Sequence, residues 1–425
     1  MNASPKVSGL FAIVGVVVLT LILVVTARTI EVSDTAAVPA NVAVPPEANP
    51  AKTSKTGPFY QNPDPLVGVA GTFLKSEPID GAPDFANVSR IMYVSEDVRG
   101  NRIPVTGMLA VPSGDPPQGG FPMIAYGHGT LGSTPKCGLS SEPFRNETTG
   151  NYVWEAQLKQ LVQEGWAVVA TDYEDMGTTG TPMYLIGKTQ AQNVLDSVRA
   201  VHQSSQIIDT TQTVVYGHSQ GGLTAYATGQ LAPKYAPELE IDGLVGLAPG
   251  ILPAIPFALN AIIKDPEPTG KTSFMMQIVR SWSAQFPDEV KVDEVTTDLG
   301  RTEGFDAVAT ECGLTIKKSL QEPMGAYIKE PLPVGLFPLV ESNTVPPPDL
   351  TMPNLLVQGM QDEAILPVAN IAYFNYLCNA GVAAEAAVWQ NENHNGVVTA
   401  SRDVVNQWIH NRFDGEPAGN DCANR

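Results

Sequence analysis

Thr213-Val214-Val215-Tyr216-Gly217-His218-Ser219-Gln220-Gly221-Gly222-Leu223 holds the pattern around which the rest of the chain is arranged. The β-branched and aromatic residues before Gly217 predict a buried strand. Leu223, Tyr226, Ala227 and Leu231, at helical spacing, predict a helix after Gly221. Between the two, Gly217-x-Ser219-x-Gly221 is a sharp turn of the nucleophile-elbow type. Side chains at the two glycine positions would collide with the incoming strand or the outgoing helix, and the strained serine between them holds its hydroxyl out at the tip. The same turn aims the amide of Gln220 at any oxyanion formed there, with the positive end of the helix behind it. A five-residue pattern also occurs by chance as a plain glycine turn; the strand before it and the helix after it favour the reactive reading.

Composition sets limits on what such a serine could serve. The chain of 425 residues has 43% hydrophobic and 16% charged residues, so it folds around a large core. Its net charge of -19 excludes nucleic acid as a partner and leaves no basic face for anionic lipid. Between Lys6 and Arg28, Val7 to Ala27 carries no charge and is long enough to cross a bilayer, so residues 1–30 form either a signal peptide or an uncleaved anchor helix that holds the protein at a membrane. Either places the rest of the chain outside the cytoplasm. Residues 31–57 are a linker, with Ala, Pro, Val and Thr recurring without period from Ala36 to Lys55. Cys137, Cys312, Cys378 and Cys422 include no C-x-x-C pair, which argues for two disulfides in an oxidising compartment and leaves three pairings open. The cysteines and the five histidines show no metal-ligand spacing, so neither metal nor cofactor is expected.

Beyond the linker, strand and helix signals alternate. Arg90 to Val94 and Ile103 to Val111 predict an antiparallel hairpin, after an irregular stretch from Phe59 to Pro78. Phe121 to Tyr126, Ala167 to Thr171 and Gly243 to Leu247 predict short buried strands, with helices at Tyr152 to Glu164 and Gln190 to His202. Regularity lapses from Ile251 to Leu350, a Pro-rich stretch with apolar clusters at Phe274-Met275-Met276, Ile278, Val279 and Trp282 and at Leu336 to Val340. A loop of that length inside one domain is implausible, so 251–350 is an inserted subdomain. Its clusters are expected to cover a pocket above Ser219 and to favour acyl chains over very small groups. The alternation resumes with a strand at Leu355 to Gln358, a helix at Val368 to Ala380, a strand at Glu385 to Trp389 and one closing helix at Val397 to Phe413. The fold class is therefore α/β, with a mostly parallel sheet covered by helices on both faces and formed by residues 58–250 and 351–425.

In such a sheet, reactive groups gather at the carboxyl ends of the strands. Asp362 follows the strand ending at Gln358, and His394 follows the last strand, giving the chain order serine, acid, histidine. A hydroxyl is a weak nucleophile at neutral pH, so His394 is expected to take the proton of Ser219 and return it to the leaving group, with Asp362 holding the imidazole tautomer. Glu363 and Asp172 are the competing acids. His202 and His410 lie within predicted helices, His218 is the x of the elbow, and His128 precedes the serine. Gly127-His128-Gly129-Thr130 is a small-residue loop after a central strand, where the amide of Thr130 or of Gly129 would complete an oxyanion hole with Gln220.

Phe59-Tyr60, the loop Gly127 to Thr130 with Cys137 beyond it, Gly217 to Gly222, Gly359-Met360-Gln361-Asp362 and Asn393-His394-Asn395 together resemble the secretory lipase family, whose members include fungal lipases of the A type and actinobacterial relatives. The resemblance runs from about Phe59 to Cys422. It implies an α/β-hydrolase core, a mostly helical cap at 251–350, and hydrolysis of carboxylic esters including acylglycerols. By similarity Ser219, Asp362 and His394 take the triad places and Gln220 one oxyanion place. Cys137 is expected to pair with Cys312, tying the oxyanion loop to the cap, and Cys378 with Cys422, fastening the tail. An acyltransferase using the same triad is the nearest alternative; a non-catalytic exported binding protein on this scaffold is the more distant one.

Overall fold

A computed structural model of the chain describes residues 57–141, 144, 152–252, 263–268 and 270–424. The segment Val7 to Ala27 and the linker up to Lys55 lie outside the described residues. Among the described residues no helix is long and apolar enough to cross a membrane.

The apolar runs of the sequence assemble into one nine-stranded sheet in the order β1-β2-β3-β5-β4-β6-β7-β8-β9. Its antiparallel edge is built from β1 (Phe73–Pro78), β2 (Ala86–Glu96) and β3 (Arg102–Pro112), with β2 and β3 forming a hairpin that closes at Glu96 opposite Arg102. From β5 (Ala167–Thr171) onward the strands are parallel: β4 (Phe121–Gly127), β6 (Ile208–His218), β7 (Gly243–Leu247), β8 (Asn354–Gly359) and β9 (Glu385–Trp389). Val214, Val215 and Tyr216 of β6 are buried on both faces, as a central parallel strand requires. The helices Gly187–Ser204 and Gln220–Tyr235 pack side by side against this sheet. Tyr152–Gln163 and Arg402–Phe413 are joined through Gln160 Nε2, which donates to Asn406 Oδ1 at 2.6 Å.

Two sequence expectations need correction. β1 lies within the stretch expected to be irregular: Phe73 and Leu74 pack against buried residues, but Lys75, Ser76, Glu77 and Pro78 continue them as a half-exposed edge paired on one side only, so the strand lacks the unbroken apolar run of the central strands. The single closing helix is two, Gly396–Ala400 and Arg402–Phe413, separated at the buried Ser401.

Between β7 and β8 the described residues form mainly short helices, of which Lys271–Gln285 and Leu336–Thr344 are the longest. They enclose a hydrophobic core of their own, with Met276, Val279, Trp282, Val308, Ile316 and Tyr327 among its members. Met183 and Ile186, from the connection after β5, complete it. Trp282 Nε1 donates to the Tyr184 carbonyl at 2.8 Å, and the Tyr184 N–H donates to Ser281 Oγ at 2.7 Å, so the insertion is also hydrogen-bonded to that connection.

Candidate active site

Ser219 stands between β6 and the helix Gln220–Tyr235 with φ 59° and ψ -119°. A residue other than glycine occupies that region only when its surroundings hold it there, at a cost on the order of 1–3 kcal/mol. Hydrogen bonds supply the restraint. The Ser219 N–H donates to the Leu247 carbonyl at 2.9 Å, and its carbonyl accepts from the N–H groups of Gly250 at 2.7 Å and Leu223 at 3.1 Å. Two glycines give the corner room: a Cβ on Gly217 would run into the Gly221 carbonyl, and one on Gly221 into the Gly127 carbonyl.

The loops after β8 and β9 are bonded to each other before their side chains meet. Met360 N–H donates to the Trp389 carbonyl at 2.8 Å and Gln361 N–H to the Glu392 carbonyl at 2.9 Å. This brings Asp362 and His394 together at Ser219. His394 Nε2 lies 2.9 Å from Ser219 Oγ, and His394 Nδ1 lies 2.7 Å from Asp362 Oδ2. An ionised carboxylate only accepts, so the imidazole proton sits on Nδ1 and the lone pair of Nε2 faces the hydroxyl. The Asp362 side chain is fully buried. A buried charge needs donors, and this one has them: Oδ1 accepts from Ala364 N–H at 2.9 Å and Ile365 N–H at 2.8 Å, and Oδ2 is 3.3 Å from Gln358 Nε2. Glu363 is exposed. Asp172 is occupied elsewhere, accepting from Thr106 Oγ1 at 2.6 Å and from the Ser140 N–H at 2.7 Å, and burial pushes its carboxyl up to about 6.

Three residues that the sequence reading passed over support this arrangement. Asn370 Nδ2 donates to Gln358 Oε1 at 2.6 Å, which turns the Gln358 amide group toward Asp362. The sequence signal was a glutamine at the end of an otherwise apolar strand. His218, set aside as the x of the elbow, is buried with its Nε2 2.8 Å from the His394 carbonyl, so that nitrogen carries a proton and donates it. Its ring lies 4.6 Å, centre to centre, from that of His394. Burial pushes His218 down to about 3 and keeps it neutral.

The parallel register sets Gly127 of β4 opposite Gly217 of β6, so the loop after β4 emerges beside the elbow. A Cβ on Gly129 would stand 3.8 Å from that of Ser219, which puts the Gly129 backbone beside the serine. Tyr173 O–H donates to the His128 carbonyl at 3.1 Å, and the Thr130 hydroxyl lies 2.8 Å from that of Tyr184. Gln220 opens the helix, where first-turn amides lack a partner within it. His410 is remote from this site and meets Glu164 at 2.9 Å.

Two disulfides are present, Cys137 to Cys312 and Cys378 to Cys422. Among the described residues no group of three or more His, Cys, Asp or Glu side chains is arranged to hold a metal ion. A cavity of about 1070 Å³ opens at Ser219 and His394, bordered by the loop Gly129 to Leu131 and by the insertion.

The family model for secretory lipases matches residues 148–319. The relatives it resembles include Lipase 4 of Candida albicans (strain SC5314), 27% identical over 88% of this chain and 84% of that protein. Over residues 148–319, and along most of its length at low identity, the chain is similar to secretory lipases. Another relative, 23% identical over 85% of this chain and 82% of its own, is named a probable inactive lipase, from Mycobacterium tuberculosis (strain CDC 1551). Among solved structures, Candida antarctica lipase A in its closed state aligns with a TM-score of 0.69 at 16% identity, over 85% of this chain and 86% of that one. The rice cell wall degrading esterase LipA of Xanthomonas oryzae aligns with a TM-score of 0.61 at 15% identity, over 82% of this chain and all of that one. These alignments identify the α/β-hydrolase fold.

The apolar clusters of the insertion mostly do not face the cavity, contrary to the expectation from sequence. Met276, Val279, Trp282, Leu336 and Phe337 are spent on the insertion's own core, and of the named clusters only Phe274 lines the cavity. The sequence shows that apolar residues are present but not which surface they bury.

Proposed function

We propose that the chain is an exported serine hydrolase that cleaves lipid carboxylic esters through an acyl-enzyme. The observation that carries this reading is the continuous path from Ser219 Oγ through His394 to Asp362 at 2.9 and 2.7 Å, on a serine held in a strained elbow. As Ser219 Oγ attacks the ester carbon, His394 Nε2 takes its proton, and Asp362 stabilises the imidazolium. The charge on the former carbonyl oxygen falls to the amide of Gln220 and to one from Thr130 or Gly129. Collapse expels the alcohol, which leaves with the proton from His394. Water then repeats the sequence on the acyl-enzyme and releases the acid.

Kinship with lipases supports lipid esters as the substrate class. One relative is named as probably inactive, so kinship alone does not establish activity, and the assignment rests on the geometry at Ser219. Residues 251–350, as a cap over the cavity, would shape the acyl site. The two disulfides support work outside the cytoplasm.

A fluorophosphonate probe and p-nitrophenyl esters from acetyl to palmitoyl test the proposal together. Wild type should be labelled and should hydrolyse members of the series. Ser219→Ala should lose the label and roughly four to six orders of magnitude in turnover, because the nucleophile and base act as one unit. Turnover in that variant within tenfold of wild type would overturn the mechanism. An ester product formed from an added alcohol would identify acyl transfer.

A further inference from the structure

The cavity at Ser219 contains two cations that the hydrolytic chemistry does not use. Lys271 opens the helix Lys271–Gln285, Lys317 belongs to Leu314–Ser319, and both line the cavity together with Phe274 and Leu314. The Lys317 side chain lies against the backbone just before Lys271. A Cβ added at Gly270, the residue before Lys271, would come within 3.1 Å of the Lys317 ammonium. That ammonium also lies 5.3 Å from the centre of the Phe274 ring.

Among the described residues neither lysine forms an ion pair, which is also true of Lys75, Lys136, Lys188, Lys318 and Lys329; what distinguishes these two is that both line the cavity at Ser219. In a chain with 44 acidic side chains against 25 basic ones, two lysines in one concave site are a local excess of positive charge. The cavity's own carboxylates, Asp362 and Glu363, come from the core segment after β8, and Asp362 is engaged by His394. The insertion therefore contributes a wall that is cationic and partly apolar, and the core contributes the reacting groups.

From this arrangement we infer that the site takes esters that bear a second, anionic group, a carboxylate or phosphate, remote from the scissile bond and held by Lys271 and Lys317. The inference rests on the hydrolase reading above and adds the substrate's charge to it. An ammonium group facing a cavity open to water is screened, so the gain is modest: a preference of about five- to tenfold over a neutral ester of the same length. That preference should fall as salt rises from roughly 10 mM, where charges act over about 30 Å, to 1 M, where they act over about 3 Å.

Matched esters measure it as a ratio. One arm places the anion on the acyl side, mono-p-nitrophenyl adipate against p-nitrophenyl heptanoate. The other places it on the alcohol side, the butyrate ester of 4-hydroxyphenyl phosphate against phenyl butyrate. The expected result is a kcat/KM ratio favouring the anionic ester in at least one arm. It should collapse in the double variant Lys271→Met, Lys317→Met, invert in Lys317→Glu and survive in Lys317→Arg. The neutral ester separates the two levels of the argument: no hydrolysis of either ester defeats the hydrolase reading. Hydrolysis of the neutral ester with no anionic preference in either arm, or a preference unchanged by the double variant, defeats the charge inference alone.

Discussion

Replacing Asp362 by Asn tests the proposed triad at the point where its geometry is most specific. The carboxylate accepts from four donors: the N–H groups of Ala364 and Ile365 on Oδ1, and His394 Nδ1 and Gln358 Nε2 on Oδ2. Asparagine offers one oxygen and one NH₂. If the oxygen stays with the two backbone amides, the NH₂ faces His394, whose Nδ1 must then present its lone pair. The ring proton moves to Nε2, the atom 2.9 Å from Ser219 Oγ, and that nitrogen can no longer accept the serine proton. The opposite rotamer sets the NH₂ against two buried backbone donors, each costing about 1–3 kcal/mol, so the harmful tautomer is the cheaper outcome. By analogy with the same change in the aspartate of serine protease triads, kcat should fall roughly 10⁴-fold, or about 5.5 kcal/mol at 1.36 kcal/mol per factor of ten. The assay is single-turnover acylation with a p-nitrophenyl ester, alongside thermal melts that establish folding. Glu363→Gln, an exposed change, should stay within about threefold of wild type. An Asp362→Asn enzyme that folds and keeps more than a tenth of wild-type kcat would refute this account.

Stability should rise as pH falls from 8 to 6. Burial raises Asp172 and Asp196 to about 6, Glu174 to about 7 and Asp175 to about 8 in the folded chain, so as pH falls from 8 the folded state binds protons that the unfolded state does not, and stability rises. Below about 6.5 the unfolded chain gains protons on His128, His202 and His218, which burial holds down when folded and which offset most of that gain, and stability falls once the unfolded carboxylates also take up protons below about 5; a Tm still rising from pH 6 to pH 8 would contradict the sign. Removing the Cys137 to Cys312 bridge, with a sequence separation of 175, should cost about 5 kcal/mol in the chain-entropy account, and removing Cys378 to Cys422, with a separation of 44, about 4. Urea melts of the paired serine variants check both, and a loss below 1 kcal/mol for the first would show that the bridge does not constrain the unfolded chain as argued. His218→Phe keeps a ring beside His394 but loses the hydrogen bond to its carbonyl, so kcat should drop about tenfold with KM little moved, and His218→Gln should recover part of it. Equal kcat in His218→Phe and wild type would remove His218 from any positioning role.

The central strands Ala167–Thr171 and Gly243–Leu247 were legible because burial on both faces leaves an unbroken apolar run, and the half-exposed edge strand Glu385–Trp389 because its Ala, Val and Trp still read as a strand; all three have the bounds read from sequence. β1 was not legible, because an edge strand paired on one side can consist largely of Lys, Ser, Glu and Pro without loss. The break at Ser401 was hidden by Val397, Val398, Val405 and Ile409, which keep a helical spacing across it. At the site, Ser219, Asp362 and His394 could be named from their places after strands, since chain order and strand ends are one-dimensional facts. Gln358, Asn370 and His218 could not, because each acts through a contact between elements that no spacing encodes. The same holds for Lys271 and Lys317, 46 positions apart in sequence and neighbours only in the folded insertion.

The way the insertion is fastened limits how the cavity could open. Gly313 N–H donates to the Leu131 carbonyl at 2.8 Å, Arg280 Nη1 donates to the Ser133 carbonyl at 2.5 Å, and Ser133 Oγ donates to the Val308 carbonyl at 3.1 Å. The Cys137 to Cys312 bridge lies beside these bonds. All four links join the insertion to the residues directly after Gly129 and Thr130. A rigid swing of the whole insertion away from the sheet would have to break these three hydrogen bonds together with the two that join Trp282 and Ser281 to Tyr184, at about 1 kcal/mol net each, and would still be tethered by the disulfide. Any such swing would also displace the loop that borders Ser219. Substrate access by movement of the insertion as one body would therefore disturb the oxyanion side of the site each time it occurred. The fastening favours a cavity whose wall at Gly313, Leu314 and Lys317 stays fixed relative to the nucleophile. A fixed wall is also what a charge preference carried by Lys317 requires, because an ammonium group can select for an anion only if its distance from the reacting carbonyl is set before the substrate arrives.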